Sequence, residues 1–275
     1  MALFAARERD NLVRALGRDL RLLLPADPGR EALLECVRLF DPRAKKASRG
    51  RIDVWDSREI FLTRGAEIDP EVAAEAGIPD GMTAAYFVQN LERPLPFSTS
   101  GGINSKKDLR DASVRLMNGL AKRLDGDAWP EAPVLEEPLR ATIYTGREIS
   151  AEQVYEAAAR YAPGLARYEN PTFGPYGVSS WRTGDRQFEA QHWPKGTVHA
   201  LLPHAPRATG ELFYHRSEAW AVRLQLLAPA NVADPGMARL LGECALEMAS
   251  VMGGVCVDQL GFRVERSEEL VFGGL

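Results

Sequence analysis

The chain has 275 residues, of which 45% are hydrophobic and 26% charged, and a net charge of −4. That length can bury one large core or two smaller ones, and the composition is too apolar for wholesale disorder. The mild acidic excess argues against a protein built mainly to bind nucleic acid, and no apolar run reaches the roughly 18–20 residues of a membrane span.

The first segment, MALFAARERDNLVRALGRDLRLLLP, is not read as a signal peptide. Arg7, Glu8, Arg9, Asp10, Arg14, Arg18, Asp19 and Arg21 interrupt any continuous apolar stretch. Leu12, Val13, Leu16, Leu20, Leu23 and Leu24 instead mark one stripe of an amphipathic helix, which packs on its own domain or, as a rival, on a membrane surface or a partner. A second helix is predicted from Arg30 to Phe40, with Leu33, Leu34, Val37 and Phe40 on one face. It stops before Asp41-Pro42, because the residue preceding proline disfavours the helical region. The basic run DPRAKKASRGR follows, with Arg43, Lys45, Lys46, Arg49 and Arg51, and reads as an exposed linker before a nucleic-acid contact. Residues 1–50 are therefore expected to form an N-terminal helical segment with a basic linker.

Two later segments look alike. EIFLTRGAEIDPEVAAEAG reads as a strand, a turn and a helix capped by Asp69, with Pro70 at its first position. ATIYTGREISAEQVYEAAARYAPG reads the same way, with Ser150 as cap. Downstream, the strand AAYFVQNL leads to a helix over 105–124, and AWAVRLQLLAP leads through Asp234-Pro235 to a helix ending at Met252. Both helices run into glycine, at Gly126 and at Gly253-Gly254. The implied fold class is α+β, with two related split β-α-β, ferredoxin-like halves at 51–135 and 139–275, joined near Pro130, Pro133 and Pro138.

On this alignment the second half carries an extra stretch, 167–216, rich in glycine, proline and aromatics. It holds all four histidines, His192, His199, His204 and His215. Their spacings match no metal-ligand motif, GVSSW is not a nucleophile elbow, and Cys36, Cys244 and Cys256 form no C-x-x-C pair, so no metal or cofactor is expected. The unpaired cysteines fit small core residues in a reducing cytoplasm. The stretch also gathers Tyr168, Phe173, Tyr176, Trp181, Phe188, Trp193, Phe213 and Tyr214 with several arginines, residue types that dominate protein–protein hot spots. Some of these aromatics are expected to plug the core. Tyr176, Trp181, Arg182, Arg186, His192 and Trp193 are the candidate partner-binding residues, and Trp181 and Trp193 are placed at the surface because polar or charged residues flank them. A second candidate is an anion site in FSTSGGINSKKD, using Ser100, Gly101, Gly102, Ser105 and Lys106 at a helix start, although a plain N-cap explains the same residues.

The closing stretch ALEMASVMGGVCVDQLGFRV, with HWPKGTV before the strand AWAVRLQLLAP, resembles the FtsZ-binding domain of the cell-division protein ZipA. The resemblance covers about half the chain and implies a split β-α-β fold that offers a sheet face to a peptide or protein. The expected function is a non-enzymatic protein-binding module of adaptor, inhibitor or immunity type. The alternative is an enzyme whose site lies between the halves and uses His192, His199 or His215 with Asp185 or Glu189. A nucleic-acid role for the basic linker ranks third.

Overall fold

The computed structural model describes residues 2–16, 20–47, 50–54, 60–90, 106–129, 138–185, 187–198, 207–213, 216–229 and 234–270. The chain divides into two units, Met1–Val134 and Leu135–Leu275.

The first unit runs α1 (Ala2–Leu16), β1 (Arg21–Leu24), α2 (Gly29–Phe40), β2 (Lys45–Lys46), β3 (Ile52–Asp53), β4 (Ile60–Glu67), α3 (Pro70–Ala76), β5 (Ala84–Asn90), α4 (Lys106–Arg123) and β6 (Asp127–Trp129). Its antiparallel sheet has the order β6-β1-β5-β4-β3-β2. β1 and β4 point the same way with β5 between them, which is the split β-α-β arrangement. Segment 1–50 is therefore not an appendage, which corrects the expected boundary. β1 pairs with both β5 and β6, and all four residues of RLLL are buried because the strand is hydrogen-bonded on both edges and covered on both faces. α2 buries the expected Leu33, Leu34, Val37 and Phe40, and its cap Asp41 is already extended. On the other side of the sheet, Leu16 of α1 and Val72 of α3 pack with Leu23, Ile68, Ile78 and Ala85.

The second unit runs β7 (Pro138–Thr145), α5 (Ala151–Tyr161), β8 (Ala166–Tyr168), β9 (Ser179–Arg182), β10 (Phe188–Trp193), β11 (Trp220–Pro229), α6 (Pro235–Met252) and β12 (Val255–Asp258). Its antiparallel sheet has the order β12-β7-β11-β10-β9-β8. Strand for strand this repeats the first sheet: β6, β1, β5, β4, β3 and β2 correspond to β12, β7, β11, β10, β9 and β8. The duplication is present, but its register differs from the one read in the sequence. The counterpart of β7-α5 is β1-α2, not β4-α3. The alignment of Asp69 with Ser150 rested on cap chemistry: Asp69 accepts from the Val72 N–H, and Ser150 forms a capping box with Gln153. Such caps report a helix start anywhere in a fold. With the register corrected, much of 167–216 ceases to be an insertion, because β8, β9 and β10 have counterparts in the first unit.

One core of the second unit lies between its sheet and its helices. Ile143, Ala190, Val222 and Leu224 meet Val154 and Ala158 of α5 and Leu241, Ala245 and Met248 of α6. The opposite sheet face has its own apolar cluster of Tyr144, Val178, Trp193, Val198, Ala208, Ala221 and Val257.

The turn after the second long helix is the same in both units. Asp125 (φ 51°) and Gly253 (φ 59°) adopt the left-handed conformation. The following glycine then presses on the first strand: a Cβ on Gly126 would stand 2.2 Å from the Leu23 carbonyl oxygen, and one on Gly254 would stand 2.8 Å from that of Tyr144. The left-handed residue in the first unit is thus Asp125 rather than Gly126, whose glycine is required by close approach. Gly254→Ala is expected to destabilise the protein by roughly 1–3 kcal/mol through overpacking. Urea unfolding checks this against Gly184→Ala, where a Cβ meets nothing within 4 Å.

Candidate partner-binding site

Side chains alternate across a strand, so β10 sends Phe188, Ala190 and His192 toward the helices and Glu189, Gln191 and Trp193 to the opposite face. On β9 the same rule turns Trp181 toward the helices and Ser180 and Arg182 to the face of Glu189. The register sets Glu189 opposite Arg182, and Ser180 between Gln191 and Tyr168.

Glu189 is 2% exposed and is the hub of a polar network. Arg182 donates to it at 2.8 Å, the Tyr168 hydroxyl at 2.5 Å and the Gln191 amide at 2.5 Å. Gln191 in turn accepts from the Trp193 indole N–H at 3.0 Å. Arg182 and Asn170 each donate to the Tyr168 hydroxyl at 3.1 Å, and the Arg182 guanidinium stacks 4.3 Å above the Tyr168 ring. Burial, then the bond to Glu189, raises the Tyr168 pKa, and the bond to Glu189 raises that of Arg182. Tyr168 therefore stays a neutral donor and Arg182 a cation at neutral pH. This chemistry holds a shape rather than moving a proton.

The loop above the network is pinned from two directions. The Asn170 side-chain oxygen accepts from the N–H groups of Thr172 (3.0 Å) and Phe173 (3.2 Å), and the Phe173 ring packs on Trp193 with centroids 5.2 Å apart. A single 3-10 turn, Gly174–Tyr176, follows and closes at left-handed Gly177. Tyr176 projects from that turn with 53% of its surface exposed. Beside the loop lies a cavity of about 490 Å³ lined by residues including Asn170, Phe173, Arg182, Glu189, Gln191 and Gln225.

Of the predicted partner-binding residues, Arg182 and Trp193 join this network, and Tyr176 lies on the turn that follows the pinned loop. Trp181 and Trp193 are corrected from surface to core, being 5% and 0% exposed. Polar sequence neighbours say little about a strand residue, because they lie on the other face; Trp181 instead packs near Tyr155 among the helix-facing residues. His192 is buried on the helix side, away from Trp193. Arg186 lies outside the described residues, as do Ser100, Gly101, Gly102 and Ser105; Lys106 opens α4. His199, His204 and His215 also lie outside them. Among the described residues, His192 is not paired with either expected acid: Glu189 is on the opposite face of β10, and Asp185 is bonded to Thr183 and the Gln187 N–H. Burial pushes the Cys244 thiol up to about 12, far from a thiolate nucleophile. Sequence reasoning missed Tyr168, Glu189 and Gln191 as a group. The signal for Glu189 and Gln191 was present in FEAQHW, where two polar residues precede a tryptophan at alternate positions; nothing in that segment points to Tyr168, which comes from another strand.

Among the described residues no cluster of three or more His, Cys, Asp or Glu side chains is placed to hold a metal ion, and no helix is long and apolar enough to cross a membrane. No protein-family model, curated protein or solved structure matches the chain.

Arg182→Ala leaves the buried Glu189 carboxylate without its cation and is expected to destabilise the protein by roughly 3 kcal/mol, read from urea unfolding. His192 gives a pH test. Burial lowers its pKa, so the unfolded chain takes up the proton first and stability falls as pH drops through the ordinary histidine value of about 6.5. The urea midpoint is expected to fall between about pH 7.5 and 5.5, and His192→Gln to reduce that fall.

Proposed function

We propose that the chain is a protein-binding module of adaptor, inhibitor or immunity type, and that the second unit meets its partner with the loop around Tyr176 and the cavity beside it. The observation that carries this reading is Tyr176, 53% exposed on a turn held from below by Asn170 and by Phe173 on Trp193. A large amphipathic ring on an ordered turn loses little conformational freedom on binding, which is why tyrosine is favoured in binding surfaces. Exposed Arg167 and Glu169 flank the loop and supply a polar rim. The buried tryptophan keeps a part in this reading as the platform beneath the loop. The split β-α-β order of both units is also what the resemblance to the FtsZ-binding domain of ZipA implies, and supports a sheet face as the place of contact.

The experiment is capture of partners from the native host by tagged protein, identification by mass spectrometry, and measurement of Kd with the purified partner. Tyr176→Ala is expected to leave the melting temperature unchanged and to weaken binding by about 2 kcal/mol, roughly 30-fold in Kd. Undiminished affinity in the folded Tyr176→Ala protein would remove this loop from the interface.

A further inference from the structure

Between the sheet and α2 of the first unit lies a cavity of about 260 Å³, whose lining includes the buried Leu33, Ile52, Leu62 and Tyr86. The duplication shows what the second unit does with the same place. Gly126 and Gly254 set Leu23 against Tyr144 on the opening strands. Strand pairing then carries the match outward: Tyr86 with Val222, Arg64 with His192, Leu62 with Ala190 and Ile52 with Trp181. In the second unit the Trp181 ring packs with Ala190 and Val222 in the helix-side core, its centroid 6.1 Å from that of Tyr155. In the first unit that place holds Ile52, a much smaller side chain. Leu62 and Tyr86 are larger than their counterparts, yet the cavity remains beside them. Protein interiors pack as densely as organic crystals and leave few voids, and about 150 Å³ already holds a benzene molecule.

The rest of the lining is charged, and its charges do not balance. Among the described residues it holds Asp27, Arg30 and Arg64. Arg64 pairs with one oxygen of Asp27 at 2.7 Å, and the other oxygen accepts from the Gly29 N–H at 2.9 Å and the Tyr86 hydroxyl at 2.5 Å. The Asp27 charge is thereby matched. Arg30 donates through Nη2 to the main-chain carbonyls of Ala47 and Arg51, which are neutral, and the adjacent acid, Glu31, pairs with Lys46 instead. Nη1 of Arg30 takes part in neither carbonyl bond and, unlike the buried Nε, keeps accessible surface. The cavity therefore joins an apolar interior to one uncompensated positive charge. A neutral apolar molecule leaves that charge unmatched, a cation is repelled by it, and a dianion brings one charge too many beside Asp27. We propose that this cavity binds a small monocarboxylate whose apolar body is about the size of a single ring. The body lies against Leu33, Ile52 and Leu62, where the second unit places its own indole, and the carboxylate pairs with Arg30. This site belongs to the first unit and does not depend on the loop around Tyr176.

Full-length protein with labelled isoleucine and leucine methyl groups is titrated with phenylacetate, phenylacetamide and acetate at constant ionic strength. Phenylacetate is expected to shift the methyl resonances of Leu33, Ile52 and Leu62 saturably. Phenylacetamide, which keeps the ring and lacks the charge, should bind roughly tenfold more weakly or worse, and acetate, which lacks the ring, should leave these resonances in place. Arg30→Lys keeps the charge and should retain binding, whereas Arg30→Gln should weaken it roughly tenfold. Ile52→Trp gives the first unit the second unit's side chain and should abolish the phenylacetate shifts of Leu33 and Leu62 in a folded protein. Four results would each overturn the proposal: no saturable shift at these methyl groups, phenylacetamide or acetate binding as tightly as phenylacetate, full affinity in Arg30→Gln, or phenylacetate shifts surviving in folded Ile52→Trp. If Ile52→Trp does not fold, the two Arg30 variants decide the question.

Discussion

Each unit hangs on a strand hydrogen-bonded along both edges. β1 lies between β6 and β5, and β7 between β12 and β11. In a split β-α-β layout the opening strand must receive the third and the last strands of the core as neighbours, so the whole sheet is assembled around it. This constraint explains why RLLL is buried throughout and why the turn into the last strand is so demanding. The chain leaves α4 or α6, reverses through one left-handed residue, and passes its next residue close against the backbone of the opening strand. A side chain there would strike the Leu23 or Tyr144 carbonyl, so glycine occupies both positions.

The candidate site follows from the same sheet. β10 sits between β9 and β11, so its two faces are occupied for different reasons. The helix-facing side is filled by Phe188, Ala190 and His192, and burial holds the imidazole in its neutral form. The other side is filled by Glu189, Gln191 and Trp193, where a charge is tolerated only because Arg182, Tyr168 and Gln191 saturate it. A carboxylate held by three donors acts as a strut. It fixes Tyr168 and Arg182, and Tyr168 in turn accepts from Asn170, the residue that organises the exposed turn. Rigidity is thus passed from a buried charge to a surface tyrosine through a short chain of hydrogen bonds.

Local chemistry was legible in the sequence. The stripe of α2, the stop at Asp41-Pro42, the caps Asp69, Ser150 and Asp234, and the α+β class all follow from periodicity and capping, which depend on residues within one or two turns of each other. The presence of two related halves was also readable. Their register was not, because a capped helix after a strand looks the same wherever the fold uses it. The strand RLLL was taken into a helical stripe, since a short apolar run carries no periodicity that separates strand from helix.

What only the tertiary structure decided is which side of each strand faces what. Trp181 and Trp193 have similar polar neighbours in the chain, and both are buried, one against the helices and one on the opposite sheet face. The residues that build the candidate site, Tyr168, Arg182, Glu189 and Gln191, come from three adjacent strands, and strand pairing alone brings them together. The sequence by itself determined the inventory, a stretch rich in polar and aromatic residues. Strand register and the alternation of faces determined that its tryptophans are buried, with Trp193 beneath the loop, while Tyr176 stays exposed on the turn that follows.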